Sequence, residues 1–175
     1  DAATGKLTTT TAPDGGTLSY GYTGALLTQV SWSGTVPGSV NYSYDSDFRV
    51  ASISVNGANP IGLGYDPDSL LVQAGALALS RDAQHGLLTG TTLGTVNDSY
   101  QRNSFGETTH YTANLNATPL FQQQFSYDSL GRITQKVETQ GVMTHTHAYT
   151  YDLAGRLTEV NRDGRISIRL PAPPP

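Results

Sequence analysis

The sequence predicts an all-β protein: consecutive antiparallel β-hairpin repeats laid side by side in one continuous curved sheet. Three observations carry that prediction. A Tyr-Asp-x-x-Gly-Arg signature recurs along the chain, a second glycine turn stands between successive copies, and the composition suits strands and tight turns. The 175 residues include 23 Thr, 15 Ser, 19 Gly and 10 Tyr. Thr and Tyr fit a pleated, half-buried surface, Gly serves turns, and strong helix formers are sparse. Only 14% of residues are charged, against ~25% in ordinary soluble domains.

The signature is clearest near the C-terminus, where residues 125–134 read FSYDSLGRIT and residues 149–158 read YTYDLAGRLT. Residues 42–50 (YSYDSDFRV) and 63–71 (LGYDPDSLL) keep Tyr44-Asp45 and Tyr65-Asp66, with Phe48 and Ser69 in the glycine slot. Residues 100–108 keep Tyr100 and Gly106 but place Arg102 and Asn103 in the Tyr-Asp slots. Residues 20–28 keep Tyr20 and Tyr22, with Thr23 for Asp and a shorter turn. Two copies, DAATGKLT from Asp1 and DAQHGLLT from Asp82 with Gly86, carry one extra turn residue. The aspartate slot thus falls at 1, 23, 45, 66, 82, 103, 128 and 152, a mean spacing of 21 to 22 residues. A fixed period of this length is the mark of a repeat architecture.

Between the copies lie Asp14-Gly15-Gly16, Ser33-Gly34, Asn56-Gly57, Gln140-Gly141 and Asp163-Gly164. Asn-Gly and Asp-Gly between alternating runs are strong hairpin signals, because both central residues of a type I′ turn take positive φ. Runs such as Val50 to Val55, Ile133 to Val137 and Thr144 to Tyr151 alternate as strands do. Only Leu70 to Leu79 has helix-compatible apolar spacing, and Gly75 and its shortness argue against a helix. The organisation expected is therefore about eight repeats over 1–164, a final strand over 165–170, and a Pro-rich tail over 171–175 in polyproline II. The chain reads as a piece cut from a longer strip.

Residues two apart share a strand face. Tyr20 with Tyr22, Tyr42 with Tyr44, Phe125 with Tyr127, and Tyr149 with Tyr151 are thus same-face pairs, and stacked repeats build an aromatic ladder. Asp at the first position of a turn accepts from backbone N–H groups two residues on, and Gly suits the fourth position. Asp128 with Gly131 and Asp152 with Gly155 fit this, with Arg132 and Arg156 beside the carboxylate. All these repeat-motif residues are assigned a structural role.

Other chemistries are poorly represented. With 10 Lys+Arg against 14 Asp+Glu and a pI near 5.4, the chain has no basic nucleic-acid surface. It has no cysteine, so disulfides and thiol chemistry are excluded. No apolar run is long enough for a membrane span, and the first residues do not resemble a signal peptide. His145 and His147 share a strand face and are weak candidate metal ligands; no metal or cofactor is expected. The pairs Asp45/Asp47 and Asp66/Asp68 read as turn carboxylates. No catalytic residue stands out, and the chain is read as non-enzymatic.

The Tyr-Asp-x-x-Gly-Arg-(Leu/Ile) repeat resembles the YD repeat, also called the Rhs repeat, of bacterial Rhs and polymorphic toxins, Tc toxin shell subunits and teneurins. The resemblance covers Asp1 to about Gly164. It implies hairpin strips that spiral into a hollow shell, which in bacterial members encloses a C-terminal toxin. It also implies a bacterial, secreted or cell-surface setting as part of a larger protein. The autoproteolytic core found in such proteins is not expected here, because no Tyr-Asp follows Asp163-Gly164. Expected partners are neighbouring YD repeats and an encapsulated toxin, with edge-strand self-association when the piece is isolated. The alternative is a carbohydrate-binding or adhesion module that engages glycans through exposed tyrosines.

Overall fold

The computed structural model describes residues 1–170; the Pro-rich segment 171–175 lies outside the described residues. All regular structure among the described residues is β-strand. The all-β antiparallel hairpin architecture expected from the sequence is the one observed.

The chain divides into two compact units, Asp1–Ala78 and Leu79 onward. The first holds β1 (Thr9–Thr11), β2 (Thr17–Thr23), β3 (Leu26–Trp32), β4 (Gly38–Tyr44), β5 (Val50–Val55), β6 (Ala58–Tyr65) and β7 (Leu71–Ala74). Strand β8 (Leu77–Arg81) crosses the boundary. The second unit holds β9 (Leu88–Leu93), β10 (Val96–Arg102), β11 (Thr108–Leu115), β12 (Thr118–Tyr127), β13 (Ile133–Gln140), β14 (Met143–Tyr151), β15 (Leu157–Arg162) and β16 (Arg165–Arg169). Sheet order is sequence order, so hydrogen-bonded neighbours are always consecutive strands.

Within each unit the turns alternate between two ends of the strands. One end of the second unit carries tight two-residue loops such as Asn116-Ala117 (φ 49° and 64°) and Asp163-Gly164 (φ 52° and 81°). These are the positive-φ pairs whose twist matches that of the flanking strands. The other end carries the aspartate turns. There the register slips by one residue just before each turn, at Ser126/Tyr127 and Thr150/Tyr151. The first unit repeats this at Ser43/Tyr44 and Gly64/Tyr65.

Neither unit has a second layer. Among the described residues no apolar side chain is buried, whereas most domains cover a sheet face with another element. Among the described residues only Gly90 is buried, and β9 runs so close to the Asp98 carbonyl there that a Cβ would collide with it. The ten tyrosines are half-buried on the sheet, while many aliphatic side chains, such as Val55, Ile61, Val96 and Ile168, stay exposed. The ladder and cross-strand pairs therefore carry the stability, each pair contributing ~0.2–1 kcal/mol.

Candidate functional site: the edge of aspartate turns

The aspartate turn is built from its own five residues. At Asp128 the Gly131 N–H donates to the Asp128 carbonyl (3.1 Å), and the Asp128 N–H donates to the Arg132 carbonyl (3.0 Å). That is a type I turn followed by a left-handed residue in a bulge, and Gly131 supplies the φ of 74° without a Cβ penalty. The carboxylate then closes the loop. Its Oδ1 accepts from the N–H groups of Leu130 (2.9 Å) and Arg132 (3.0 Å), and its Oδ2 accepts from Arg132 Nε (2.7 Å).

Other copies use the same contacts. Asp152 accepts from Ala154, Arg156 and the Arg156 guanidinium at 2.9, 2.9 and 2.8 Å. Asp45 holds Asp47, Arg49 and the Arg49 guanidinium, each at 2.9 Å. Asp66 holds the Asp68 and Leu70 N–H groups, without an arginine. In the longer turn Asp82 accepts from Gln84 and His85, while the Gly86 N–H donates to its carbonyl. Asn103 mimics the aspartate through its Oδ1, and its Nδ2 donates to Glu107 Oε2 at 2.6 Å. The left-handed slot is filled by Gly106, Gly131 and Gly155, and also by Phe48 (φ 61°) and Ser69 (φ 63°). The backbone N–H of the following arginine and then its guanidinium hold the Asp128 and Asp152 carboxyls below the ordinary range.

A second contact links one turn to the next. The tyrosine before each aspartate donates its hydroxyl to a backbone carbonyl beside the exit of the preceding turn. The pairs are Tyr22 to Leu7 (3.0 Å), Tyr44 to Leu27 (2.6 Å), Tyr65 to Val50 (2.9 Å), Tyr127 to Thr108 (2.7 Å) and Tyr151 to Ile133 (2.8 Å). Arg102 stands in this slot and donates Nη1 to the Leu88 carbonyl instead (2.5 Å). The cation closing the preceding turn lies over the tyrosine ring: Lys6 on Tyr22 at 5.1 Å, Arg49 on Tyr65 and Arg132 on Tyr151 at 4.7 Å. Where arginine replaces the tyrosine, as at Arg81 and Arg102, the preceding turn ends in Leu70 or Leu87. Two guanidinium groups are thereby kept from facing each other. The spacing of the motif does not reveal this lock, because its acceptor is a backbone atom. The exchange of Arg for Leu between paired slots is the signal that could have pointed to it.

The remaining tyrosines lie along the strands. Tyr20, Tyr42 and Tyr149 stand opposite Val30, Ile53 and Val160. Tyr100 meets Tyr111 across the strands at 4.9 Å between ring centres, and Tyr111 meets Phe121 at 6.2 Å.

The histidines do not converge. His145 Nδ1 lies 2.7 Å from Asp163 Oδ2, and Asp163 Oδ1 accepts from the Thr146 N–H at 2.7 Å. His147 stands between Lys136 and Arg162 on the flanking strands. Burial first, then these two cations, push its imidazole below the usual value. Among the described residues no group of three His, Asp or Glu side chains is placed to hold a metal ion.

A sheet whose strands pair only with their sequence neighbours, with each aspartate turn pinned by a tyrosine of the next repeat, defines a hairpin-repeat protein. The sequence profile of the Teneurin YD-shell family matches residues 2–169, and the chain belongs to that family of structural YD shells. Solved structures with the same fold include chains of the TcdB2–TccC3–Cdc42 complex and of the TcdB2–TccC3 protein. The first superposes with a TM-score of 0.69 at 15% identity, covering 87% of this chain and 9% of that one. The second has a TM-score of 0.70 at 15% identity, covering 87% and 10%. This chain therefore spans about a tenth of the length of either. No curated protein sequence matches it significantly.

Proposed function

We propose that the chain is a non-enzymatic length of shell wall, part of a larger bacterial protein working outside the cell, that encloses or displays a toxin or another polypeptide. The observation that carries this reading is the inter-turn lock. The residues that recur in the sequence are spent on joining one hairpin to the next: Asp128 and Asp152 hold their own turns, and Tyr127 and Tyr151 hold the turns before them. A sheet without a buried core suits a wall, which presents one face inward and one outward. Family membership and the fold shared with TcdB2–TccC3 chains support it. No helix among the described residues is long and apolar enough to cross a membrane.

The carbohydrate-binding alternative needs available tyrosines. At Tyr65 and Tyr151 the hydroxyl is already donated and a guanidinium covers the ring.

Limited proteolysis of the full-length parent protein tests the shell reading. A polypeptide segment that resists protease in the intact protein, and is cut once Tyr44, Tyr65, Tyr127 and Tyr151 are changed to Ala, is the expected result. Digestion of every segment at similar rates in the intact protein would overturn it.

A further inference from the structure

We infer that the second unit carries a binding cleft for a carboxylate at Arg102, independent of the shell reading. Three departures from the repeat meet there. The turn at Asp82 has one extra residue, arginine replaces the tyrosine at position 102, and asparagine replaces the aspartate at position 103. Between the two turns lies a cleft of about 270 Å³, lined by Asp82, Gln84, His85, Tyr100, Arg102 and Ser104 among others.

Arg102 is placed differently from the arginines that close the aspartate turns. Arg49, Arg132 and Arg156 each meet the carboxylate of their own turn at 2.7–2.9 Å. Arg102 adjoins Asn103, and among the described residues no carboxylate lies within ion-pair distance of it. Its one hydrogen bond runs from Nη1 to the Leu88 carbonyl, and its guanidinium carbon lies 5.5 Å from the centre of the Tyr100 ring. In the cleft, Asp82 Oδ1 accepts from the N–H groups of Gln84 and His85, each at 2.9 Å, and lies 3.5 Å from His85 Nδ1. A half-buried guanidinium with unspent N–H donors is thus left without a direct ion pair, and feels the Asp82 carboxylate only across the cleft.

The chemistry selects the ligand. A planar carboxylate matches the guanidinium fork through two parallel hydrogen bonds. The Gln84 amide and the Ser104 hydroxyl line the same cleft and can donate to such a ligand. A single guanidinium with Asp82 nearby favours a monoanion over a dianion such as phosphate, which the aspartate would repel more strongly. The volume is at the small end for ligand clefts, below ~300 Å³. It suits a small acid or the side chain of an Asp or Glu residue on a peptide.

The test titrates the full chain with N-acetylglycine and with a seven-residue peptide bearing a central Glu, each against its neutral amide counterpart. Chemical shifts at His85, Tyr100 and Arg102 are followed. Saturable shifts with the acids and none with the amides are expected, weakening as salt is added. Arg102→Gln is expected to lose about tenfold or more in affinity. Arg102→Tyr restores the usual residue of the repeat, whose hydroxyl can reach the Leu88 carbonyl, so it keeps the fold while binding is lost. Response to both acids points to a peptide side chain as the source, and response to N-acetylglycine alone points to a small molecule. No saturable shift, equal shifts with the amides, or unchanged binding by Arg102→Tyr would each overturn the proposal.

Discussion

At the scale of single residues, the tyrosine before each aspartate combines two roles. Its ring packs on the sheet as the other tyrosines do, and its hydroxyl reaches back to the preceding turn. Tyr127→Phe separates them: the ring stays and the bond to the Thr108 carbonyl goes. We expect a loss of about 0.5–1.5 kcal/mol in chemical denaturation, the usual net worth of one hydrogen bond. Tyr20→Phe, which removes a hydroxyl engaged in no such bond, should change little. The turn aspartates predict how the protein responds to acid. Asp128 and Asp152 are held below the ordinary value of 3.8, first by the backbone N–H of Arg132 or Arg156 and then by its side chain. A carboxyl depressed in the fold adds stability that is fully present above its unfolded pKa. That stability is lost as pH falls through the native value. Denaturation midpoints should therefore be nearly flat well above pH 3.8 as far as these groups are concerned, and fall as pH drops through that value and below it. Asp128→Asn should blunt that fall.

At the scale of the element, the turn explains both what the sequence discloses and what it conceals. Asp, Gly and Arg at fixed offsets are legible, because turn chemistry depends on residue type. Strand ends are harder to read. The run from Ile133 to Val137 reads as a strand bounded by two apolar residues, yet β13 continues through Glu138, Thr139 and Gln140. Likewise β12 runs through Gln122, Gln123 and Gln124, which show no apolar alternation. Polar residues are tolerated there because neither face is sealed into a core, so period-two hydrophobicity is a weak guide and cross-strand pairing on both sides decides. The Tyr-to-carbonyl lock and the Arg102 cleft were not legible, since one depends on a backbone acceptor and the other on two turns meeting. The left-handed slot offers a direct test of turn energetics. Phe48 occupies it at φ 61° and is 72% exposed, so its side chain contributes little packing to offset the backbone strain. Phe48→Gly should raise stability by up to about 1 kcal/mol, since left-handed backbone costs L-residues ~1–2 kcal/mol and glycine's added chain entropy takes back part of the gain. The converse change, Gly131→Ala, should lower the thermal midpoint. It adds a Cβ at φ 74°, placed 2.7 Å from a Glu107 carboxylate oxygen.

At the scale of the whole molecule, the governing fact is that each strand is paired only with its neighbours in sequence. Strand β1 pairs with β2 and strand β16 with β15, and among the described residues the other side of each of these strands has no pairing strand. Exposed edges of this kind template pairing with other chains. The isolated 175-residue chain should therefore self-associate in a concentration-dependent way, measured by size-exclusion with light scattering. A Pro placed in β16 at Arg169, whose N–H faces away from β15, should shift the balance toward monomer, whereas a purely monomeric wild-type chain at high concentration would contradict edge pairing.

The strictly sequential order has a consequence for how such genes can change. Because no hairpin depends on a distant partner in the chain, an in-frame duplication or deletion of one unit alters only the two junctions it creates. All other registers survive intact. The intervals between aspartate turns already range from 16 to 25 residues, which the sheet accommodates without any change of strand order.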